Sequence, residues 1–254
     1  METSNISQER IISAKNLPNF FDLEAGAVLL IDKPLDWTSF DVVNKIRFAI
    51  KHQFKLKKIK VGHAGTLDPK ATGLLIVCTG KFTKLLDQIA NDDKSYTGVI
   101  KLGAVTASYD RESAEEHQQD ISHIGIDVIM AAKAKLTGRI SQRPPVFSAI
   151  KINGQEAYKL VRRGEDVEMK LREVTIHGFD IKSIHLPFLD FEVRCSKGTY
   201  IRSLAHDLGQ LLGVGGYLYN LCRTGVGKYD LSEAIRVEEA VDWIRALPTP
   251  HSLP

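Results

Sequence analysis

Cysteine is one of the rarest residues in this chain, with three among 254 positions. An odd number without paired ligand spacing argues against both a disulfide framework and a cysteine zinc site. Two of the three lie in apolar or strand-like runs, where a thiol behaves as a small hydrophobic group. The sequence therefore predicts buried free thiols at Cys78, Cys195 and Cys222.

Long hydrophobic runs and cofactor fingerprints are also missing. No apolar stretch approaches the ~20 residues that span a bilayer, and the N-terminal segment METSNISQER is too polar for a signal peptide. The sequence contains no P-loop or dinucleotide glycine fingerprint and no metal-ligand spacing. These absences predict a cytoplasmic protein with no membrane contact, no metal and no cofactor.

The net charge of +3 is too small to indicate a nucleic-acid protein by itself, but its distribution is uneven. No acid occurs between Val42 and Lys60, whereas acids gather between 110 and 120, a segment expected on the surface. The basic run could bind RNA phosphates, and it is equally typical of a helix end and loop that are simply exposed to solvent. Its members are Lys45, Arg47, Lys51, Lys55, Lys57, Lys58 and Lys60.

Hydrophobic periodicity predicts one main domain over 27–246, after a partly ordered lead-in over 1–26. A proline- and glycine-containing insertion over about 141–172 is expected to project as an adaptable loop. After the tail, 247–254, we expect no further C-terminal module. Strands are predicted at 27–31, 74–78, 95–102, 174–184 and 188–195, and helices after an N-cap at Ser39, at 127–136, from Ile201 and at 237–246.

The stretch VGHAGTLDPKATGLLIVCTGKFTK, residues 61–84, carries the most specific signal in the chain. It places Asp68 in a loop punctuated by glycines and closed by Pro69, directly before a buried-strand pattern. Such a loop can hold a carboxylate at the mouth of a sheet, where binding sites often form. An aspartate in a glycine- and proline-rich turn is also an ordinary turn residue, and spacing alone leaves both readings open.

The stretch resembles the catalytic-aspartate motif of the TruB family of RNA pseudouridine synthases. Four more segments match that family in the same order, so the resemblance covers nearly the whole chain. They are LLIDKPLDWTSF (29–40), KSYTGVIKLG (94–103), RPPVFSAIKINGQEAYKLVRR (143–163) and VRCSKGTYIRSLAHDLGQLLG (193–213).

The resemblance implies catalytic roles for three residues. Asp68 matches the catalytic aspartate, Arg202 matches its arginine partner, and Tyr96 matches the tyrosine that stacks on the uracil. Tyr200 and Leu221 match a second wall of the pocket and an apolar contact with the base. Without the resemblance, the tyrosines would be strand aromatics and the arginine a surface ion-pair member.

The resemblance also implies RNA-binding residues. Lys33 belongs to a lysine-proline motif that shapes the cleft, although it could equally be an ordinary exposed lysine. His63 belongs to a loop whose imidazole fills the gap left when a base is flipped out of its stack. The insertion contributes the basic residues Arg143, Lys151, Arg162 and Arg163.

Three positions depart from the family pattern. Asp36 stands where glycine is usual, Phe147 replaces a usual tyrosine, and Cys222 replaces a usual arginine. Aspartate adopts left-handed backbone angles more readily than most residues, so the first change is tolerable. The other two remove a hydroxyl and a phosphate contact, which puts RNA affinity rather than catalysis in question.

The implied function is conversion of uridine to pseudouridine at position 55 in the T loop of tRNA. The implied fold class is α+β, a pseudouridine synthase catalytic fold with a central mixed, mainly antiparallel sheet, flanking helices and an RNA-binding insertion. The expected partner is the T arm of tRNA, with no obligate protein partner. The alternative is a tRNA-folding chaperone or RNA-binding module that uses the same cleft without chemistry.

Overall fold

A computed structural model describes residue 7 and residues 10–22, 24–152 and 154–249. Parts of the predicted lead-in and tail, including 250–254, lie outside these residues. The chain divides into two compact units, the first made of Met1–Ser95 with Cys222–Pro254 and the second of Tyr96–Leu221.

The strands and helices are numbered in chain order. The strands are β1 (Ile11–Ile12), β2 (Val28–Lys33), β3 (Val61–His63), β4 (Ala71–Thr79), β5 (Lys94–Leu102), β6 (Val105–Thr106), β7 (Glu115–Glu116), β8 (Gly138–Gln142), β9 (Lys151–Ile152), β10 (Gln155–Glu156), β11 (Arg172–His185), β12 (Phe188–Cys195), β13 (Gly216–Val226), β14 (Tyr229–Asp230) and β15 (Ile235–Arg236). The helices are α1 (Ser39–Gln53), α2 (Leu86–Ala90), α3 (Ile126–Lys135), α4 (Ala157–Arg162), α5 (Ile201–Leu211) and α6 (Val237–Ala246), and two 3₁₀ helices cover Gly80–Leu85 and Leu231–Glu233.

The first unit is built on β2 and β4, which are antiparallel neighbours. β1 and β15 pair with β2 in parallel, and β3 pairs with β4 antiparallel. One face of β2 and β4 packs in a cluster with α1 and α6, and the other face packs in a cluster with α2. Because both faces are covered, the two strands are continuously apolar rather than alternating.

The lead-in is more structured than its weak periodicity indicates. Residues 11–12 form β1, and the side chains of Ile12 and Phe21 are buried in the core that contains α1. A two-residue strand is too short to leave a periodic signal, so it is visible only through its pairing with β2.

The predicted helix after residue 38 is α1, but its N-cap is Thr38 and not Ser39. The Thr38 hydroxyl accepts a hydrogen bond from the Asp41 amide at 3.0 Å in a capping box. The Ser39 hydroxyl is occupied elsewhere: it accepts from the Leu67 amide at 2.8 Å and donates to the Leu67 carbonyl at 3.1 Å. Ser39 therefore ties the start of α1 to the residue before Asp68.

The second unit has an antiparallel framework. β11 pairs with both β12 and β8, and the short pairs β6–β7 and β9–β10 are also antiparallel. One core cluster joins residues of β5, β11 and β12 to α3 and α5. In α5 the side chains of Leu204, Ala205 and Leu208 are buried, whereas that of Leu211 is 46% exposed.

The insertion is not purely a projecting loop. It contains β9, β10 and α4, and the side chains of Ala157 and Met169 are buried. The acidic segment also differs from its prediction, since Asp110 is buried rather than at the surface. The structure confirms buried free thiols at Cys78 and Cys195, whereas Cys222 is a free thiol that is only half-buried, so its predicted burial was wrong.

The strand pairing gives an α+β fold with a mixed, mainly antiparallel sheet flanked by helices, which confirms the predicted fold class. Predicted strands and helices match β2, β4, β5, β11, β12, α1, α3, α5 and α6 to within a few residues. Among the helices that the structure describes, none combines the length and the apolarity needed to cross a bilayer.

Candidate active site

Asp68 lies in the first unit, in the loop between β3 and β4, and its side chain is half-buried. Its carbonyl accepts a hydrogen bond from the Ala71 amide at 3.0 Å, which turns the chain into β4. The residue before it, Leu67, is buried and held by Ser39 on α1. The loop is thus fixed by a strand on one side and a helix on the other.

Lys33, at the end of β2, is completely buried, so the alternative of an ordinary exposed lysine is wrong. Its ammonium donates to the carbonyls of Trp37 at 2.6 Å and Pro34 at 2.9 Å, and lies 3.5 Å from the carbonyl of Pro69. One cation therefore connects the loop after β2 to the residue that follows Asp68. The Asp68 carboxylate is close enough to raise the pKa of Lys33, against the larger effect of burial.

We expect Lys33 to make stability depend on alkaline pH. Burial lowers the pKa of Lys33 from 10.5 to about 8, and the Asp68 carboxylate opposes that shift. Between these two pH values Lys33 is protonated in the unfolded chain and largely deprotonated in the folded protein. The contribution of Lys33 to stability therefore rises with pH across that window and is constant below it. The free energy of unfolding of the wild type relative to Lys33→Met should therefore increase through the window.

Urea unfolding of both proteins at several pH values tests this. The exposed Lys15, changed to Met, is the control, and its difference from the wild type should not increase. A constant difference for Lys33→Met across the window would show that this lysine remains protonated in the folded protein.

Arg223, which sequence reasoning missed, lies beneath the Asp68 loop in the first unit. Its side chain is almost completely buried. The guanidinium donates through Nε to the Leu74 carbonyl at 2.7 Å and through Nη2 to the Gly65 carbonyl at 3.1 Å. Arginine is usually exposed, and nothing in the sequence next to Arg223 indicates that its side chain is buried. The sequence therefore could not predict this residue as part of the site.

His63 is the last residue of β3, at the start of the connection that contains Asp68. Burial lowers the pKa of His63, the nearby charge of Arg223 lowers it further, and the Gly65 backbone opposes these effects. These effects favour the neutral imidazole, which can donate or accept a hydrogen bond without carrying charge.

In the second unit, Arg202 is the second residue of α5 and is buried, so the alternative of a surface ion pair is wrong. Its Nη1 lies 3.5 Å from an Asp110 carboxylate oxygen and donates to the Ser108 carbonyl at 3.2 Å. Asp110 also accepts from the Ser108 hydroxyl at 2.5 Å and the Glu112 amide at 2.9 Å. The expected pairing of Arg202 with Asp68 remains a prediction.

Tyr200 is the N-cap residue of α5, and its backbone is clamped by Gln142. Gln142 accepts from the Tyr200 amide at 2.8 Å and donates to the Tyr200 carbonyl at 3.0 Å. Tyr96 on β5 and Leu221 on β13 are partly buried against the same core cluster of the second unit. These three predicted residues are therefore held by well-packed elements rather than by loops.

The predicted RNA-binding residues of the insertion are exposed but not equivalent. Arg143 donates to the Met169 carbonyl at 2.9 Å, and Arg162 lies over the ring of Tyr158 at 5.5 Å. Arg163 pairs with Glu165 at 2.9 Å, which partly neutralises it. Lys151 lies on β9 and is exposed.

Two family models together match most of the chain. The sequence model of the N-terminal domain of TruB family pseudouridylate synthases matches residues 51–201, and that of the tRNA pseudouridylate synthase B C-terminal domain matches residues 202–247. The chain belongs to the TruB family. The first match contains Asp68, Tyr96 and Tyr200, and the second begins at Arg202.

Relatives with the same family name are similar along most of their length. The tRNA pseudouridine synthase B of Chlorobaculum tepidum is 51% identical over 87% of this chain and 92% of its own. That of Flavobacterium johnsoniae is 49% identical over 84% of this chain and 93% of its own. TruB proteins are isomerases that act on tRNA, and this membership confirms the predicted enzyme class and does not favour the alternative of a pure RNA-binding module.

Solved structures agree on the fold. The chain superimposes with a TM-score of 0.67 on a structure described as a Cbf5-Nop10-Gar1 complex, at 26% identity, over 95% of this chain and 65% of the other. A second, an H/ACA RNP bound to a substrate RNA containing 2′-deoxyuridine, gives a TM-score of 0.63 at 23% identity. The predicted pseudouridine synthase fold is confirmed.

Proposed function

We propose that this TruB protein isomerises the uridine at position 55 in the T loop of tRNA, with Asp68 as the catalytic carboxylate. The supporting observation is the construction of the Asp68 loop, which is held by Ser39, Lys33 and Arg223 from three different elements. Preorganising one half-buried carboxylate in this way suits a reaction that depends on its position and charge.

The reaction exchanges one bond to the ribose for another. The bond from N1 to C1′ breaks, the detached uracil turns, a bond from C5 to C1′ forms, C5 loses its proton and N1 gains one. An ionised carboxylate can attack the sugar or the base, or remove a sugar proton in a glycal route. Every one of these routes uses the charged form of Asp68.

The family motifs that the other candidate residues match assign them to substrate binding and to electrostatic support of the carboxylate. Tyr96 provides a flat face for the uracil, and its hydroxyl is available for the C5 proton. Tyr200 and Leu221 bound the base on other sides, and Arg202 supplies positive charge for the catalytic carboxylate. His63, neutral and beside the loop, fills the position of the flipped base, whose extrusion costs a few kcal/mol.

A direct test is to incubate the purified protein with an unmodified tRNA transcript and to map pseudouridine at base resolution. Modification at position 55, and its absence from a transcript carrying cytidine there, supports the proposal. Modification only at other positions, or none under conditions where a TruB relative is active, contradicts it. Because its substrate is tRNA, we also infer a cytoplasmic location. We further propose that it acts without an obligate protein partner.

The basic segment after α1 is proposed to follow tRNA phosphates. Lys55, Lys57 and Lys58 are exposed, and no acid occurs between residues 42 and 60. Neutralising all three to glutamine should weaken tRNA binding and flatten its salt dependence, by about 0.7–0.9 in the slope of log affinity against log salt for each lysine–phosphate interaction that is removed. Single-turnover chemistry at saturating enzyme should be nearly unchanged.

The measurement is tRNA affinity at several salt concentrations. A matched triple variant of exposed lysines, with Lys15, Lys135 and Lys182 changed to glutamine, removes the same charge from other surfaces. An unchanged slope for the first variant, or equal changes for both, would show that this segment only keeps the surface solvated.

A further inference from the structure

Arg223 is a buried cation with an unusual set of partners. Both of its hydrogen bonds go to backbone carbonyls, those of Gly65 and Leu74. In the part of the chain that the structure describes, it forms no ion pair with a carboxylate. Burying a guanidinium without an opposing charge is costly, so a gain in stability does not by itself explain an arginine at this position.

The two carbonyls lie at either end of one segment. Gly65 precedes Asp68 by three residues, and Leu74 lies in β4, so Arg223 joins the start of the loop to the strand that follows it. A Cβ added to Gly65 would lie 3.5 Å from Nη1, so the guanidinium packs directly on the loop. Arginine suits this task because its donors form a rigid planar fork.

The backbone of Arg223 approaches the same segment. Gly73 has φ +98°, and a Cβ there would lie 2.4 Å from the Arg223 carbonyl oxygen. The far end of the segment is therefore pressed against Arg223, where no side chain fits. Both main chain and side chain of this one residue define the path of residues 65–74.

We propose that Arg223 is a positioning residue for Asp68, acting by clamping the two ends of its loop. The inference rests on the proposed role of Asp68. The guanidinium touches neither base nor ribose, because it is buried beneath the loop. Its removal should therefore reduce the rate of the chemical step and leave tRNA affinity intact.

The test uses Arg223→Met and Arg223→Lys in the full chain. The Met variant loses both carbonyl bonds, and its single-turnover rate should fall about 10²-fold, the cost of a carboxylate misplaced by roughly 1 Å. The Lys variant keeps the charge and one donor group, and should fall only about tenfold. The Kd for tRNA should stay within about threefold in both.

A control separates positioning from loss of stability. Thr79→Val removes a buried hydroxyl that accepts from the Ala27 amide at 2.9 Å, in the same unit but away from the loop. It should lower the melting temperature and leave the single-turnover rate unchanged. Three results would overturn the clamp. The first is a single-turnover rate of Arg223→Met within threefold of the wild type, and the second is a weaker tRNA affinity that accounts for the whole loss of activity. The third is a rate of Arg223→Lys no higher than that of Arg223→Met.

If the Met variant does not fold, the Lys variant decides by itself: a tenfold slower chemical step at unchanged Kd supports the clamp, and an unchanged rate overturns it. Asp68→Asn is measured in parallel. Activity in Asp68→Asn would remove the proposed function itself. An inactive Asn variant beside a fully active Arg223→Met would remove only the role of Arg223.

Discussion

Asp68→Asn should abolish pseudouridine formation, with a fall of more than about 10³-fold in the single-turnover rate. The amide has the shape of the carboxylate but lacks its charge and nucleophilicity, and every proposed route uses the charged form. Affinity for tRNA should remain within several-fold of the wild type, because one side chain among many contacts is changed. Single-turnover assays with pseudouridine mapping, together with a binding titration, measure both quantities.

Asp36→Asn is a matched control for this change. Asp36 is a nearby carboxylate with φ +64°, a conformation that asparagine accepts well, and it pairs with Lys70 at 2.6 Å at the surface. Its substitution should leave the rate essentially unchanged. Comparable turnover by the Asp68→Asn protein would show that Asp68 is a turn residue, the other reading that its spacing allows.

Arg202→Met should have the second-largest effect, on both stability and activity. It leaves the Asp110 carboxylate buried in the second unit without its cationic partner. Removing one member of a buried pair typically costs about 3–5 kcal/mol, because the other charge stays desolvated. Chemical denaturation measures this loss, and a single-turnover assay at a temperature where the variant is folded measures the effect on chemistry.

A double variant separates the two effects. In Arg202→Met with Asp110→Asn, the unpaired charge is gone while the Asn oxygen can still accept from the Ser108 hydroxyl. Stability should recover substantially, and activity should not, if Arg202 supplies positive charge for catalysis. Recovery of both would make Arg202 purely structural, and recovery of neither would show that the Asp110 pair is not the source of the instability.

Local pattern was sufficient for much of the fold. The apolar spacing of residues 42–50 produces α1, and the continuous apolar run at 74–78 produces β4, because each pattern records which faces of an element leave water. The last helix has the predicted bounds, Val237–Ala246. Errors occurred where the signal was short or ambiguous, as at the two-residue β1 and at Ser39, whose hydroxyl binds Leu67 instead of capping its own helix.

The sequence by itself determined the family, the fold class and the candidate carboxylate, since each motif that indicates them is a run of neighbouring residues. Only the tertiary structure decided which polar groups are buried and what holds them. Arg223 is separated from its two carbonyl partners by 149 and 158 residues, and Arg202 from Ser108 by 94. A buried charge is stable only where distant backbone and side-chain groups replace its water, and no local spacing records where the folded chain will supply them.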